Sequence, residues 1–208
     1  MKKVAVLVEG HTEMAFVSQI LSPYLINKGF QTTPILNKTS PGHAGGITPY
    51  SQFRRNLLRC ARQDRLVTTM IDLFRLPADY PGMCTSTLDK KGIEQVKLLE
   101  EAMKENISID LDPDRFIPYI QLHEFEALLF SDIEKMDRVL RVGRCSHLKE
   151  LRGILDRYHT PENINTDKSP SMYIKNEYCR FKKASEGIIV AQKIGIGTMR
   201  RMCPHFNE

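Results

Sequence analysis

The chain has 208 residues with a formal net charge of +5 at pH 7, and 41% of them are hydrophobic and 26% charged. This composition is ordinary for a globular chain of one domain, and the basic balance suits a phosphate-bearing partner without requiring one. The five scattered cysteines and the lack of a long apolar run exclude a disulfide framework, a zinc site of the usual spacing and a membrane span, and they favour a cytoplasmic protein.

Apolar, β-branched runs alternate with amphipathic segments through the first part of the chain. Buried strands are predicted at residues 4–8, at 65–74 with an end at Asp72, and at 116–122. A further strand is predicted at 30–36, where Pro34 indicates an edge strand or a strand end. Helices are predicted at 13–25, with Thr12 as N-cap, at 51–62 and at 88–106, and residues 37–50 are predicted as a loop. This alternation predicts an α/β fold with a mainly parallel central sheet flanked by helices.

The later part of the chain is predicted to be helical. His123 begins a helix, a charged helical region covers 131–157, a polar turn region covers 160–170, and one more helix lies within 187–203. A single domain is therefore predicted, with a core of about residues 1–130 and a helical extension of about 131–208.

Carboxylates follow three of the predicted strands. They are Glu9, Asp72 and the pair Glu124 and Glu126, and Glu13 lies across the first strand-to-helix turn from Glu9. Ends of parallel strands meet at one edge of a sheet, where clustered carboxylates repel one another unless a cation lies between them. Mg²⁺ or Mn²⁺ fits such oxygen ligands and supports phosphodiester cleavage. The alternative is that Glu13 complements a helix N-terminus and Glu9 is a solvated loop residue.

The two acids after the third strand are separated by a single residue. On a regular helix Glu124 and Glu126 would point about 200° apart, so one of them, with neither preferred, is expected to face the metal. His123 beside them could bind metal, position a water or contact a phosphate, although a structural hydrogen-bonding role is the more common one.

Basic residues suggest a nucleic-acid interface. Arg54, Arg55 and Arg59 fall on one predicted helix and could follow a phosphate backbone, although a solvated helix face explains them as well. His11 in the first turn could contact a phosphate. The scattered glycines after residue 40 lack the Gly-Lys-Ser/Thr ending of a P-loop.

Several stretches of the chain resemble a known family. They are Val8-Glu9-Gly10-His11-Thr12-Glu13, Met70-Ile71-Asp72, His123-Glu124-Phe125-Glu126-Ala127-Leu128-Leu129-Phe130 and Arg200-Arg201-Met202-Cys203-Pro204-His205-Phe206. The first is similar to the opening motif of Toprim domains, particularly those of the overcoming-lysogenization-defect (OLD-like) nucleases. Together they resemble the Toprim-fold domain-of-unknown-function family 4276 over nearly the full length.

The resemblance implies a Mg²⁺-type site and roles for individual acids. Glu9 would ligate metal or act in acid–base chemistry, Glu13 would be the second acid of the OLD-like motif, and Asp72 the first acid of an Asp-x-Asp pair. This chain departs from the pattern at Phe74, where the pair has its second Asp, so Glu124 or Glu126 is expected to supply that ligand. Near Ser169 the family carries a basic pair, for which this chain offers Lys168 and Lys175 close by.

The resemblance further implies a metal-dependent nuclease that acts on DNA or RNA. Its expected partners are nucleic acid and a separately encoded ATPase of the ABC/AAA type, and a defence role against phage or plasmids and a homodimer are compatible with this interpretation. Two alternatives stay open. One is a non-catalytic adaptor or regulatory subunit on the same scaffold, which Phe74 favours, and the other is a metal-dependent phosphohydrolase acting on nucleotides.

Overall fold

The computed structural model describes residues 1–40, 43–61, 65–141, 143, 145–164 and 168–208. Contacts between residues divide the chain into two compact units, Met1–Gln121 and Leu122–Glu208. They are called the sheet unit and the helical unit below. Among the described helices, none is long and apolar enough to span a bilayer.

The sheet unit is built on a parallel sheet. In chain order its strands are β1 (Lys2–Val8), β2 (Phe30–Leu36), β3 (Lys38–Ser40), β4 (His43–Ala44), β5 (Leu66–Asp72), β6 (Phe116–Ile117) and β7 (Ile120–Gln121). The sheet runs β2-β1-β5-β6, with β7 also paired to β5, and all of these pairings are parallel. The predicted α/β class with a mainly parallel sheet is therefore confirmed.

Strand β1 lies between two neighbours, which explains its uninterrupted apolar sequence. Its residues Ala5 to Val8 are at most 2% exposed, as is typical of a strand that is covered on both faces. Strand β2 pairs with β1 alone in the sheet order, and it carries Pro34 opposite Val6. The predicted edge strand is thus confirmed, since a proline without an N–H group is tolerated at an edge.

Helices connect the strands of this unit. In chain order they are α1 (His11–Phe16), α2 (Ser22–Ile26), α3 (Tyr50–Ala61), α4 (Thr85–Leu88) and α5 (Gly92–Ile107), and a π-helical segment, Val17–Leu21, joins α1 to α2. The predicted N-cap at Thr12 is wrong. The helix begins at His11 because Gly10 adopts the extended conformation of an N-cap, with φ −136° and ψ 177°. The predicted end of α3 at Arg62 falls outside the described residues.

Two predictions about strands need correction. The segment after β2 is not entirely loop, because β3 pairs with β4 as an antiparallel hairpin. The predicted third strand splits into β6 and β7 around Pro118, which has no N–H to donate to a ladder. The hydroxyl of Thr69 bridges the break: it accepts from the Tyr119 N–H at 2.9 Å and donates to the Tyr119 carbonyl at 2.8 Å.

The helical unit contains no strand among its described residues. It begins with a 3₁₀ helix, Phe125–Asp132, and continues with α6 (Ile133–Leu140), α7 (Leu148–Tyr158), α8 (Pro170–Glu177), α9 (Ile188–Ile194), α10 (Ile196–Met202) and α11 (Pro204–Asn207). The 3₁₀ helix buries Phe125, Leu128, Leu129 and Phe130 at no more than 1% exposure. The predicted helical C-terminal part is therefore confirmed.

The structure interrupts the long helices that were predicted in this unit. The helix within 187–203 is two helices, α9 and α10, which meet at Gly195 with φ +80°. Glycine allows this left-handed conformation at little cost, so the chain turns sharply there. The region 131–157 contains α6 and α7 with a non-helical connection between them. Part of the predicted turn region, residues 165–167, lies outside the described residues.

Candidate metal site

Glu9 and Asp72 lie at the carboxyl ends of two neighbouring strands. Val8 pairs with Met70 in register, and the Glu9 N–H donates to the Met70 carbonyl at 3.2 Å. The Glu9 carbonyl accepts from the Gly46 N–H at 2.7 Å, which fixes its backbone from the other side. The Glu9 side chain, 7% exposed, reaches the end of β5, where Oε2 lies 3.3 Å from the backbone nitrogen of Asp72.

Glu13 belongs to the first turn of α1 and folds back over its start. A Cβ atom added at Gly10 would lie 2.7 Å from Glu13 Oε2, so the carboxylate occupies the space that a side chain at position 10 would need. The structure therefore places a second carboxylate over the turn that follows Glu9. A negative group at this position also interacts favourably with the helix N-terminus.

Tyr80 is a buried neighbour of Glu9 for which the sequence predicted no role at the site. It is 2% exposed, and its hydroxyl donates to the Thr48 carbonyl at 3.2 Å. Burial raises the pKa of Tyr80, and the negative charges of Asp79 and Glu9 raise it further. This tyrosine therefore stays protonated, and Glu9 acts on it as a negative charge.

Gln121 is a second neighbour that sequence reasoning passed over. It is the register partner of Asp72 and is fully buried, and its Oε1 accepts from the Tyr119 hydroxyl at 2.6 Å. Its Nε2 is buried without a hydrogen-bond partner among the described residues. If the amide were turned over, Oε1 would be the atom without a partner, so either assignment leaves one polar atom unsatisfied. The only local signal for this residue was a polar side chain at the end of an apolar strand.

The donor chemistry of this edge fits a hard divalent cation. Glu9, Glu13 and Asp72 offer carboxylate oxygens from two adjacent strand ends, and such ligands suit Mg²⁺ or Mn²⁺. Among the described residues, however, the three-residue group whose donor atoms all lie within 4.8 Å of one another is His147, Glu150 and Glu177, in the helical unit. A shared ion at Glu9, Glu13 and Asp72 would therefore draw these side chains closer together.

Glu124 and Glu126 converge on one lysine, so the expectation that they point apart is wrong. Lys183 Nζ lies 2.9 Å from Glu124 Oε1 and 3.2 Å from Glu126 Oε2. The reason is that Glu124 is extended, with φ −55° and ψ 150°, and precedes a 3₁₀ helix instead of lying within an α-helix. The second oxygen of Glu124 accepts from the Ser171 N–H at 3.1 Å, in the first turn of α8.

The charges of this cluster shift the pKa values of its three members. Burial disfavours the charged form of Glu124, but hydrogen bonds from Ser171 and Lys183 outweigh it and lower its pKa. Burial raises the pKa of Glu126, against the attraction of Lys183. Burial also opposes the charge of Lys183, yet the two glutamates outweigh it and raise its pKa. The metal-ligand role of Glu124 and Glu126 stays a prediction, and in this structure one ammonium group already forms ion pairs with both of them.

The predicted nucleic-acid residues differ in their surroundings. His11, Arg55, Arg59, Lys168 and Lys175 are exposed. Arg54, in contrast, forms an ion pair with Asp110 and donates to Asn106 Oδ1 at 3.2 Å. Burial lowers the pKa of His123 to about 4, and its Nδ1 is buried without a hydrogen-bond partner among the described residues. His123 is therefore neutral at physiological pH and offers no positive charge to a phosphate.

Comparisons with known proteins place the chain in a family. Two solved structures of the C-terminal region of the Xanthomonas campestris pv. campestris OLD protein are similar to it, with 16% and 14% identity and TM-scores of 0.39 and 0.43. The alignments cover 99% of this chain and 94% and 95% of those chains. No curated protein matches the chain. The model of the domain of unknown function DUF4276 matches residues 8–208, and the chain therefore belongs to the DUF4276 family.

Proposed function

We propose that this protein is a metal-dependent nuclease that hydrolyses phosphodiester bonds of DNA or RNA. The observation that carries the proposal is the approach of Glu9 to Asp72, with Glu9 Oε2 at 3.3 Å from the Asp72 nitrogen, at the carboxyl ends of β1 and β5. Folds with an open parallel sheet place their ligand-binding sites at the carboxyl ends of the strands, where these two carboxylates lie. A bound Mg²⁺ or Mn²⁺ would supply an activated water and stabilise the charge that develops on the phosphate.

The residues of the chain would divide this work. Glu9 and Asp72 would hold the ion, and the burial of Glu9 would strengthen its electrostatic contribution. Glu13, folded over Gly10, is proposed either as a further ligand or as the group that takes a proton from the attacking water. Tyr80, kept neutral by burial, would hold the wall of the site without adding charge.

The proposal extends to partners and location. We propose a separately encoded ATPase of the ABC/AAA type as partner, a role in defence against phage or plasmids, and action in the cytoplasm. These parts rest on the resemblance of the motifs around Glu9 and Asp72 to OLD-like nucleases, not on the geometry of the site.

A non-catalytic adaptor is the second candidate function, and Phe74 favours it. This residue stands two positions after Asp72, where the resemblance would have a second acid, and it is 80% exposed. An exposed aromatic side chain suits contact with a partner. An adaptor would use the same edge of the sheet to bind an ATPase or a nucleic acid without cutting it.

A cleavage assay distinguishes the nuclease from the non-catalytic adaptor. Plasmid DNA and single-stranded RNA are incubated with the wild type in Mg²⁺, Mn²⁺ or EDTA, alongside Glu9→Gln and Asp72→Asn. Glu101→Gln is the matched control, since Glu101 is an exposed residue of α5. A nuclease cuts with metal, loses activity in the two site variants and keeps it in the control. Absence of cutting by the folded wild type, also with the ATPase present, favours the adaptor.

A further inference from the structure

A cavity lined by basic residues lies between α3 and the sheet, inside the sheet unit. Its volume is about 210 Å³. Its lining includes the cationic residues Lys38, Arg59 and Arg65 and the apolar residues Leu7, Leu36 and Cys60. Three cationic residues thus border one small cavity beside apolar side chains, with Lys38 and Arg59 exposed at its rim and Arg65 partly buried.

The cationic groups of this cavity lack partners within the described part of the chain. No described acid forms an ion pair with Lys38, Arg59 or Arg65, whereas Arg54 on the same helix is paired with Asp110. Arg65 Nε is buried and has no hydrogen-bond partner there. Like charges that share a cavity repel one another, and a buried unpaired donor is costly, so an anion in the cavity would relieve both.

The positive charge of Arg65 acts on Cys60, another residue that lines the cavity. Burial raises the pKa of the Cys60 thiol, and the positive charge of Arg65 opposes that rise. Arg65 and the apolar residue Leu7 both line the cavity, so positive charge and apolar surface occur together there.

We propose that this cavity binds a phosphate monoester. Arginine presents a planar fork of N–H donors that matches phosphate oxygens, so Arg59 and Arg65 would hold the phosphate with Lys38 as a further charge. The apolar remainder of the ligand would pack on Leu7 and Leu36. The volume is below the roughly 300 Å³ at which drug-sized pockets begin, which limits the ligand to a small phosphate ester or to the terminal phosphate of a nucleic-acid strand. This site is separate from the proposed nuclease chemistry and does not depend on it.

The test is direct binding to the full chain in EDTA, so that no metal contributes. Inorganic phosphate, AMP and adenosine are titrated by calorimetry, and 3′-labelled oligonucleotides with a 5′-phosphate or a 5′-hydroxyl are titrated by anisotropy. We expect saturable binding of phosphate and AMP but not of adenosine. Arg59→Gln and Arg65→Gln should each weaken AMP binding about tenfold or more, as loss of a charge-assisted hydrogen bond does. The matched control Arg180→Gln, at an exposed arginine that does not line the cavity, should leave it unchanged.

The two sources of the phosphate give different results. Tighter binding of the 5′-phosphorylated oligonucleotide than of its 5′-hydroxyl counterpart identifies a strand end, and equal binding of the two oligonucleotides alongside AMP binding identifies a small ester. As a readout that needs no variant, AMP should slow alkylation of Cys60 but not of the exposed Cys145. No saturable binding of any phosphate by the folded wild type, or equal weakening by Arg180→Gln, would overturn the proposal. If the protein cleaves nucleic acid normally but binds no phosphate in EDTA, the cavity proposal is refuted and the metal-site proposal stands. The two proposals can therefore be refuted independently.

Discussion

Replacing Lys183 with methionine should destabilise the protein by an amount that depends on pH. The substitution keeps the aliphatic stem and removes the ammonium group that lies between Glu124 and Glu126. Breaking a buried ion pair by removing one partner costs about 3–5 kcal/mol. The side chain of Lys183 is 35% exposed and that of Glu124 is 25% exposed, so solvent screening reduces the effect. We expect a loss of about 2 kcal/mol at pH 8.

The pH dependence follows from Glu126, whose side chain is 2% exposed. Its pKa is already raised by burial, and losing Lys183 would raise it further. The pKa of such a carboxyl is higher in the folded protein than in the unfolded chain. Its charged form therefore lowers the free energy of unfolding at high pH, and protonation removes this penalty as the pH falls. The loss caused by Lys183→Met should therefore shrink between pH 8 and pH 5.

The assay is urea unfolding of the wild type and the variant, followed by far-ultraviolet circular dichroism at pH 5 and pH 8. Lys182→Met is the matched control because Lys182 is exposed, and it should change the midpoint little. Adding Glu126→Gln to Lys183→Met should recover part of the lost stability at pH 8. An equal loss at both pH values, or no recovery in the double variant, would show that the ion cluster does not set the stability of this region.

Three further outcomes follow from the geometry. Thr69→Val removes the hydroxyl that forms hydrogen bonds with the Tyr119 N–H and carbonyl. At about 1 kcal/mol for each lost bond, the free energy of unfolding should fall by about 2 kcal/mol. In chemical denaturation, Thr69→Ser should keep most of that stability. Burial disfavours the charged form of Asp137, but hydrogen bonds from Tyr178 and the other donors to this carboxylate outweigh burial and lower its pKa. The stability that these bonds give is present above the pKa of Asp137 in the unfolded chain and is lost as the pH falls through its pKa in the folded protein. The difference in melting temperature between wild type and Asp137→Asn should therefore disappear in acid. Glu9→Gln should reduce metal-dependent cleavage on the order of a hundredfold or more while the melting temperature stays near that of the wild type, since it removes a carboxylate proposed to hold the metal ion. An unchanged rate would exclude Glu9 from the chemistry.

The sheet and its acids could be predicted because their signals are local. Val4 to Val8 and the run that ends at Asp72 are apolar stretches of strand length, and Pro34 marks an edge strand by itself. Once the strands are parallel, the acids that follow them must share one edge, and the structure does bring Glu9 to the backbone of Asp72. Their role as metal ligands stays a prediction.

The partners of Glu124 and Glu126 could not be predicted from the sequence. Lys183 lies more than fifty positions further along the chain, and no local pattern indicates which cation meets which acid. The assumption of a regular α-helix also gave the wrong directions, because the segment after Glu124 is a 3₁₀ helix that buries nearly every side chain. A segment in which nearly every side chain is buried has no clear apolar periodicity from which its helix type can be read.

Pro34 also bears on how the protein avoids sticking to itself. An edge strand presents a row of N–H and C=O groups that another chain can extend into a continuous sheet. Strand β2 is seven residues long, is partnered on one side by β1 in the described sheet, and carries its proline near the carboxyl end. The missing donor interrupts that row, so the same residue that limits β2 within the fold makes its open side a poor template for aggregation at high concentration.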